Sequence, residues 1–465
     1  MLRNLVLTST ACLLIGCTPA EQTPEPPSDA IDLIVAGDHV VTMDAGLTVI
    51  ENGAVAVDHG VIIAVGPADE IRAQYEAHET LAGDGRVVMP GLVNGHQHAA
   101  MTLLRGVADD LALMDWLTNY MFPAEIQFVD AEFVRIGTEL SCWEMIRGGT
   151  TTFVDMYYYP DTIAQVIVDC GMRALISATV IDQRSPDAES AGDSIAKGSG
   201  FIDRWKDRHP RITPIFGPHA NYTLNADQLR QTREAAQELG VAISIHISES
   251  PFELQYSQDT YGKTSIEMLD EIGFFDGPTI AAHVVWPTEA EIPILRDRKV
   301  GVIHNPSSNM KLASGVSPVA AMLDAGVRVG LGTDGAASNN DLDMLGEMRT
   351  AALLGKAVSN DASALPAYEI LRMATINGAR ALGISDNTGS LVKGKWADIT
   401  AVCMDTLETQ PLYEPVSQLV YACGREQVTD VWVAGQHLLK DRCLTTLDAN
   451  DIIERAREWQ TRISS

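Results

Sequence analysis

The stretch Val87-Val88-Met89-Pro90-Gly91-Leu92-Val93-Asn94-Gly95-His96-Gln97-His98 is mostly apolar and ends in two histidines one residue apart. Read as a strand, it puts both imidazoles on one side, because side chains alternate along a strand. An isolated HxH is more often a satisfied core pair than a metal site. Its meaning depends on what the rest of the chain brings to the same place.

Seven further strand-like runs follow: Thr150–Met156, Arg173–Val180, Ile212–His219, Ala242–Ser248, Thr279–Val285, Val300–His304 and Arg328–Thr333. Helical patterns fill most of the gaps, at Asp161–Gly171, Ala226–Leu239, Thr264–Ile272, Thr288–Arg298 and Pro318–Ala325. Repeated strand–helix units predict an α/β fold, a (β/α)8 TIM-type barrel over residues 89–385. A doubly wound open sheet is the alternative, but no GxGxxG or GxxxxGK[ST] follows an early strand.

In such a barrel the active site lies at the C-terminal ends of the strands. His96 and His98 end the first strand, His219 the fourth, His246 the fifth and His283 the sixth, while Asp334 follows the eighth. Three neutral imidazoles and a carboxylate suit one Zn2+ better than Mg2+ or Ca2+. No cysteine joins the set, which argues against a closed structural site. Bound zinc lowers the pKa of a coordinated water from ~15.7 to ~7. Glu249, three residues after His246, is expected to curl over the metal at the turn-prone Ser248–Pro251 segment and to deliver a proton. Asp334 can ligate and also accept the water's proton. His283 either ligates or orients the water, and the second role is favoured. The constellation predicts a hydrolytic enzyme.

Both chain ends differ in texture from the middle. Residues 31–88 hold the runs Asp32–Ala36, Val40–Met43, Ala54–Asp58 and Val61–Gly66. Residues 386–448 hold Gly389–Leu391, Ala397–Val402, Val428–Ala434 and Gln436–Lys440. One small β-sandwich drawn from both ends is expected. Residues 449–465 carry Ile453, Ala456, Trp459 and Ile463 at helical spacing.

The 465 residues suffice for a barrel and an extra layer. With 62 acidic against 33 basic residues the net charge is −29, which repels nucleic acid and anionic lipid and leaves a small molecule as the expected partner. Arg3, the apolar Leu5–Ile15 and Leu14-Ile15-Gly16-Cys17 look like a bacterial lipoprotein signal over residues 1–16, with lipid on Cys17 and a Pro/Glu/Thr-rich tether over 17–30. The run is too short to span a bilayer. An exported protein on the periplasmic face, at the outer membrane, held only by its lipid, is expected. Cys142, Cys170, Cys403, Cys423 and Cys443 are expected as buried free thiols, with a Cys423–Cys443 bridge left open. A homo-oligomer is also left open.

The chain resembles the amidohydrolase superfamily, in the branch holding S-adenosylhomocysteine and 5′-methylthioadenosine deaminases and triazine hydrolases. The resemblance rests on Pro90–His98, Leu103-Leu104-Arg105-Gly106, Gly217-Pro218-His219, His246-Ile247-Ser248-Glu249, Ala281-Ala282-His283, His304-Asn305-Pro306-Ser307-Ser308-Asn309 and Gly332–Asn339, and runs from about residue 31 to 440. It implies that His96, His98, His246 and Asp334 hold one metal and that Glu249 and His283 handle protons. It further implies that His219 touches a nucleoside, Glu125 binds both ribose hydroxyls, Trp116 lines the base pocket and Ser338 contacts the purine. The expected reaction is hydrolytic deamination of an adenine nucleoside: adenosine, 5′-deoxyadenosine, 5′-methylthioadenosine or S-adenosylhomocysteine.

Relatives acting on S-adenosylhomocysteine grip its carboxylate with arginines after the third strand. Here Ser177-Ala178-Thr179 stands instead, with only Arg184 beyond, and Val284-Val285-Trp286 is apolar. Both departures favour an uncharged 5′ end. A second reading keeps the site but changes the ring to a triazine, pterin or guanine. A third, a lipid-anchored metal-dependent binding protein, has no use for Glu249 as a proton carrier.

Overall fold

The opening stretch divides at Gly91. In the computed structural model, which describes residues 30–465, Arg86–Pro90 belongs to a terminal sheet and Leu92–Gln97 starts the barrel. The single strand expected over Val87–His98 is therefore two. Gly91 N–H donates to Asp398 O at 2.9 Å. A Cβ on Gly91 would sit 2.1 Å from Thr151 Cγ2, so only glycine lets the chain pass between the sheets here. Cys17 and the expected signal segment and tether, up to residue 29, lie outside the described residues.

The terminal sheet begins with β1 (Ile31–Val41), β2 (Val49–Asp58), β3 (Val61–Pro67), β4 (Ala77–Leu81) and β5 (Arg86–Pro90). The barrel follows as β6 (Leu92–Gln97), β7 (Thr150–Tyr157), β8 (Arg173–Val180), β9 (Ile212–Pro218), β10 (Ile243–Ile247), β11 (Thr279–His283), β12 (Gly301–His304) and β13 (Arg328–Leu331). The chain returns to the terminal sheet with β14 (Ile399–Cys403), β15 (Val428–Val433), β16 (Gln436–Lys440) and β17 (Cys443–Leu444).

Strands β6 to β13 pair in sequence order, each parallel to the next. Their side chains are buried almost throughout, as a parallel sheet filled inside and covered by helices outside requires. The circle closes just past β13, where Asp334 N–H donates to His96 O and Thr333 N–H to Asn94 Oδ1, both at 3.0 Å. The seam of the barrel thus lies between two expected metal ligands. The strands end earlier than the sequence suggests for a local reason. Ser248, His283, Val284 and Asp334 take φ values of +51°, +73°, +44° and +61°, so the chain turns out of the sheet there. Non-glycine residues in this region are strained, and such strain gathers at functional sites.

The terminal sheet runs β17-β16-β15-β14-β5-β1-β2-β3, with β4 against β1. Both ends of the chain therefore build one nine-stranded sheet, as the two strand-rich segments imply. It encloses its own core of Val35, Val57, Ile62, Val88, Ile399 and Trp432. Gly389–Leu391 is not a strand within it. The sheet is fastened to the barrel by a buried ion pair. Arg173 Nε and Nη2 lie 3.0 and 3.2 Å from the two oxygens of Asp398, and the guanidinium stacks 3.6 Å from the Trp396 ring centre.

The final helix spans Ala449–Ile463. Its inner face is carried by Ile452 and Trp459, while Ile453, expected inside, is 43% exposed. Trp459 packs edge-on against Phe133 with ring centres 5.2 Å apart. Cys142, Cys170, Cys403 and Cys423 are free thiols, so Cys423 does not bridge to Cys443. Among the described residues no helix is long and apolar enough to cross a membrane.

Candidate metal and active site

The expected ligands converge at the barrel's C-terminal rim. His96 and His98 do face the same side: their Nε2 atoms lie 3.4 and 3.3 Å from one oxygen, Asp334 Oδ1. His246 Nε2 approaches His98 Nε2 at 3.4 Å. The donor atoms of His96, His98 and Asp334 lie within 4.8 Å of one another, and so do those of His96, His246 and His283.

What fixes each ring is a backbone or side-chain carbonyl. His98 Nδ1 meets Met156 O at 2.6 Å, His246 Nδ1 meets His219 O at 2.7 Å, and His283 Nδ1 meets Asn309 Oδ1 at 2.8 Å. A carbonyl oxygen only accepts, so each Nδ1 carries a proton, and in the neutral ring that a metal requires each Nε2 presents a lone pair. His96 is fully buried, and among the described residues neither of its ring nitrogens makes a hydrogen bond of good geometry, Nε2 having only the 3.4 Å approach to Asp334. Buried polar atoms are normally satisfied. Bare nitrogens crowded around one carboxylate are what a divalent cation would satisfy, and outer hydrogen bonds of this kind orient metal-binding histidines. The residues present fit a metal.

Asp334 is held by its neighbours. Its Oδ1 accepts Gly335 N–H at 2.8 Å, and its Oδ2 lies 2.6 Å from Ser308 Oγ and 2.9 Å from Ser338 Oγ. Ser338, expected against a purine, is thus placed behind the Asp334 carboxylate and does not line the cavity. Its Oγ also lies 3.1 Å from Gly335 O, so the short loop after β13 turns the hydroxyl inward.

Glu249 and His283 sit beside the ligands, Glu249 Oε2 lying 3.8 Å from His283 Nε2. Both are buried. Burial, with Asp334 and Glu253 nearby, pushes the Glu249 carboxyl well above its usual range. Burial also lowers the His283 pKa, which keeps the ring neutral.

A single cavity joins these groups to the remaining candidates: Trp116, Glu125 and His219 all line it together with His246, Glu249 and Asp334. Its roof is the segment after β6, a helix Leu113–Trp116 running through a π-helical turn, Leu117–Met121, into Phe122–Phe128. Wide turns of this sort are frequent at functional sites. Here the turn brings Trp116 and Glu125 to one wall, and the Trp116 indole nitrogen is buried without a partner. Glu125 Oε2 accepts the Tyr158 hydroxyl at 3.2 Å, and burial pushes its pKa up to about 7 against the help of Tyr157 and Tyr158. Among the described residues no lysine or arginine lines the cavity. Arg184, the one guanidinium expected near β8, is 71% exposed and pairs with Glu189 at 3.6 Å.

Some partners carried too weak a signal to be read from the sequence. Ser308 and Asn309 lie in the stretch His304–Asn309, but nothing local assigns them to Asp334 and His283. Asp155, on β7, accepts Ala99 N–H at 2.6 Å and so fixes the turn directly after His98.

A search with family models matches residues 87–438 to the amidohydrolase family, with a short match at 53–75 to an imidazolonepropionase-like composite domain of bacteria. The chain belongs to the amidohydrolase family. It is 42% identical over 430 residues to a 5-methylthioadenosine/S-adenosylhomocysteine deaminase of Syntrophobacter fumaroxidans, covering 92% of this chain and 98% of that one. It is 43% identical over 428 residues to a 5′-deoxyadenosine deaminase of Methanosarcina mazei, covering 92% and 97%. Among solved structures, an adenosine deaminase from Xanthomonas campestris with bound zinc superposes with a TM-score of 0.92 at 44% identity, covering 94% of this chain and all of that one. Fold, family and a hydrolytic enzyme are thereby established.

Proposed function

We propose that this amidohydrolase deaminates adenine nucleosides with an uncharged 5′ end, using one zinc ion held by His96, His98, His246 and Asp334. The observation that carries the reading is the pairing of two clusters in one cavity. Imidazole nitrogens face Asp334, and a buried carboxylate, Glu125, lines the same cavity with Trp116. The names of the three relatives given above, each a deaminase of an adenine nucleoside, support it.

When bound, the cation supplies a water whose pKa is lowered to about 7. Asp334 would accept a proton on its carboxylate, and His283 Nε2 would orient the oxygen that adds to C6. Glu249 protonates N1 of the ring, so the electrons that leave the C6–N1 bond find a proton. The exocyclic nitrogen would take the proton held by Asp334 and leave as ammonia with the electrons of the C6–N bond, while the C6 hydroxyl gives its proton to Glu249 and becomes the carbonyl. Glu125 accepts the ribose hydroxyls, Trp116 lies along the base and His219 contacts the sugar. A cavity wall without lysine or arginine offers no partner to a 5′ carboxylate. Adenosine, 5′-deoxyadenosine and 5′-methylthioadenosine should therefore be turned over faster than S-adenosylhomocysteine.

Ammonia release from these four, beside guanine and a chlorotriazine, is the test. A bare heterocycle as the best substrate would sink the nucleoside reading. The lipobox-like Leu14–Cys17 adds a location, an exported, lipid-anchored scavenger of nucleosides. Activity should then sediment with membranes and move to the soluble fraction in Cys17→Ala.

A further inference from the structure

Ser250-Pro251-Phe252-Glu253 has the S-x-x-E form of a helix-capping box, in which the glutamate returns to the N–H of the capping residue. The helix Pro251–Tyr261 does begin there, with Ser250 Oγ accepting Glu253 N–H at 3.4 Å. The Glu253 carboxylate goes elsewhere. Its Oε1 accepts Ser248 N–H at 2.8 Å and its Oε2 accepts Glu249 N–H at 2.9 Å. The side chain is almost wholly buried, and the Ser265 hydroxyl lies against it.

The peptide so gripped is a strained one. Ser248 has φ +51°, a conformation that a non-glycine residue keeps only when its surroundings impose it. Its carbonyl accepts the N–H groups of Val285 and Trp286 at 3.0 and 3.1 Å, which ties the same turn to the loop that carries His283. The turn decides where Glu249 points. On a straight strand, residues three apart face opposite sides, and Glu249 would look away from His246. With the chain reversed at Ser248, Glu249 enters the cavity beside His283.

We propose that Glu253 is the positioning residue for Glu249: its two carboxylate oxygens hold the left-handed turn that aims the proton carrier at the substrate. This rests on the role given to Glu249 above. Helix capping alone predicts a different chemistry at this position. A capping box works with glutamine as well as glutamate. A clasp on two amide donors does not, because glutamine offers one acceptor and presses its NH2 group against the second N–H.

The experiment uses the full-length, metal-loaded enzyme and whichever adenine nucleoside it turns over best. Glu253→Gln is expected to lower kcat ~100-fold, with KM within about twofold and bound metal unchanged, since misplacing a catalytic group by an ångström costs about that much. Ser250→Ala, which removes the helix cap, should lower Tm and leave kcat in place. In the metal-free parent protein the amides of Ser248 and Glu249 should exchange slowly with solvent, a reading that does not depend on any variant folding. Three results overturn the proposal: E253Q with kcat like the parent, S250A losing as much kcat as E253Q, or fast exchange at those two amides. Glu249→Gln, measured alongside, separates the causes. If that variant is fully active, the role of Glu249 has failed and the clasp falls with it; if it is dead while E253Q is unaffected, the clasp alone is wrong.

Discussion

His246 Nε2 faces His98 Nε2 across 3.4 Å, and in its neutral form each ring spends its one proton on a carbonyl at the opposite edge. Two lone pairs at that distance repel unless a cation lies between them. Removing metal with a chelator should therefore abolish activity and lower Tm, and added zinc should restore both. A ligand present at a thousandfold its Kd stabilises by about 4 kcal/mol, so the drop should be plain in a melting curve. Unchanged Tm and activity after exhaustive chelation would show that no metal is held there.

Glu249→Gln keeps the shape of the side chain and removes the proton it can give. General acid catalysis is worth ~10²–10⁴-fold, so kcat should fall within that range while metal content stays at the parent value. A variant that loses metal as well would make Glu249 a ligand and not a proton carrier.

Glu125 supplies a pH dependence with a definite sign. Its carboxyl is pushed up to about 7, and only the ionised form offers all its lone pairs to two ribose hydroxyls. In the free enzyme the carboxylate is lost as pH falls through that value. Values of kcat/KM for a nucleoside should thus drop on the acid side of about pH 7 and level off above it. Glu125→Gln should lower the plateau and erase that limb. A parent profile flat from pH 6 to 8 would remove Glu125 from ribose binding.

A second pH effect belongs to stability. His437 stacks on Trp432 with ring centres 4.3 Å apart, and its nitrogens face Glu79 Oε1 at 3.2 Å and Asp430 Oδ1 at 3.1 Å. Lys440 also reaches Glu79 at 2.7 Å, and Arg86 Nε stands 3.9 Å from Asp430. The two carboxylates raise the His437 pKa above 6.5, although burial works against them. A raised histidine contributes stability that is complete below the unfolded pKa and is lost as pH rises through the folded one. Glu79 runs the other way. Its pKa is lowered to about 2, so its contribution is present above its unfolded value of 4.5 and disappears as pH falls toward 2. Melting temperature should therefore decline on both sides of a mildly acidic optimum, and His437→Gln should flatten the alkaline side. An identical alkaline slope in that variant would assign the loss to other groups.

The barrel and the cluster of imidazoles around Asp334 were legible because both obey short rules. Strand runs separated by helical patterns are local signals, and imidazoles at strand ends inherit their position from the fold. What escaped was set by turns and by distant partners. Val87–His98 reads as one strand because its two halves are equally apolar; the crossing at Gly91 depends on Thr151, sixty residues away. The family resemblance sets Ser338 against a purine, yet the loop after β13 folds back and gives its hydroxyl to Asp334. Ile453 has the spacing of a buried position, but the helix is rotated so that Ile452 and Trp459 meet the helix Ala131–Arg147 instead. Glu253 looks like a routine cap, and only the coordinates of Ser248 and Glu249 show the longer reach.

The joint between barrel and terminal sheet gives the last expectation. Arg173 sits on β8 and Asp398 just before β14, both nearly without solvent contact. The pair is fully hydrogen-bonded: Arg173 also donates to Pro210 O at 3.1 Å, and Asp398 also accepts Thr388 Oγ1–H and Ala434 N–H, each at 2.8 Å. Removing one partner leaves the other charge buried and uncompensated, a loss of about 3–5 kcal/mol. Asp398→Asn should cost somewhat less than Arg173→Met, because the asparagine oxygen still accepts two of the four donors. Neither residue touches the cavity, so kcat of the folded fraction should remain that of the parent. The check is denaturant unfolding of both single variants and the double variant. If the pair acts as a unit, the double variant is no less stable than the worse single one, since it leaves no lone buried charge. Additive losses would mean that Arg173 and Asp398 stabilise the joint independently, Arg173 through its stacking on Trp396.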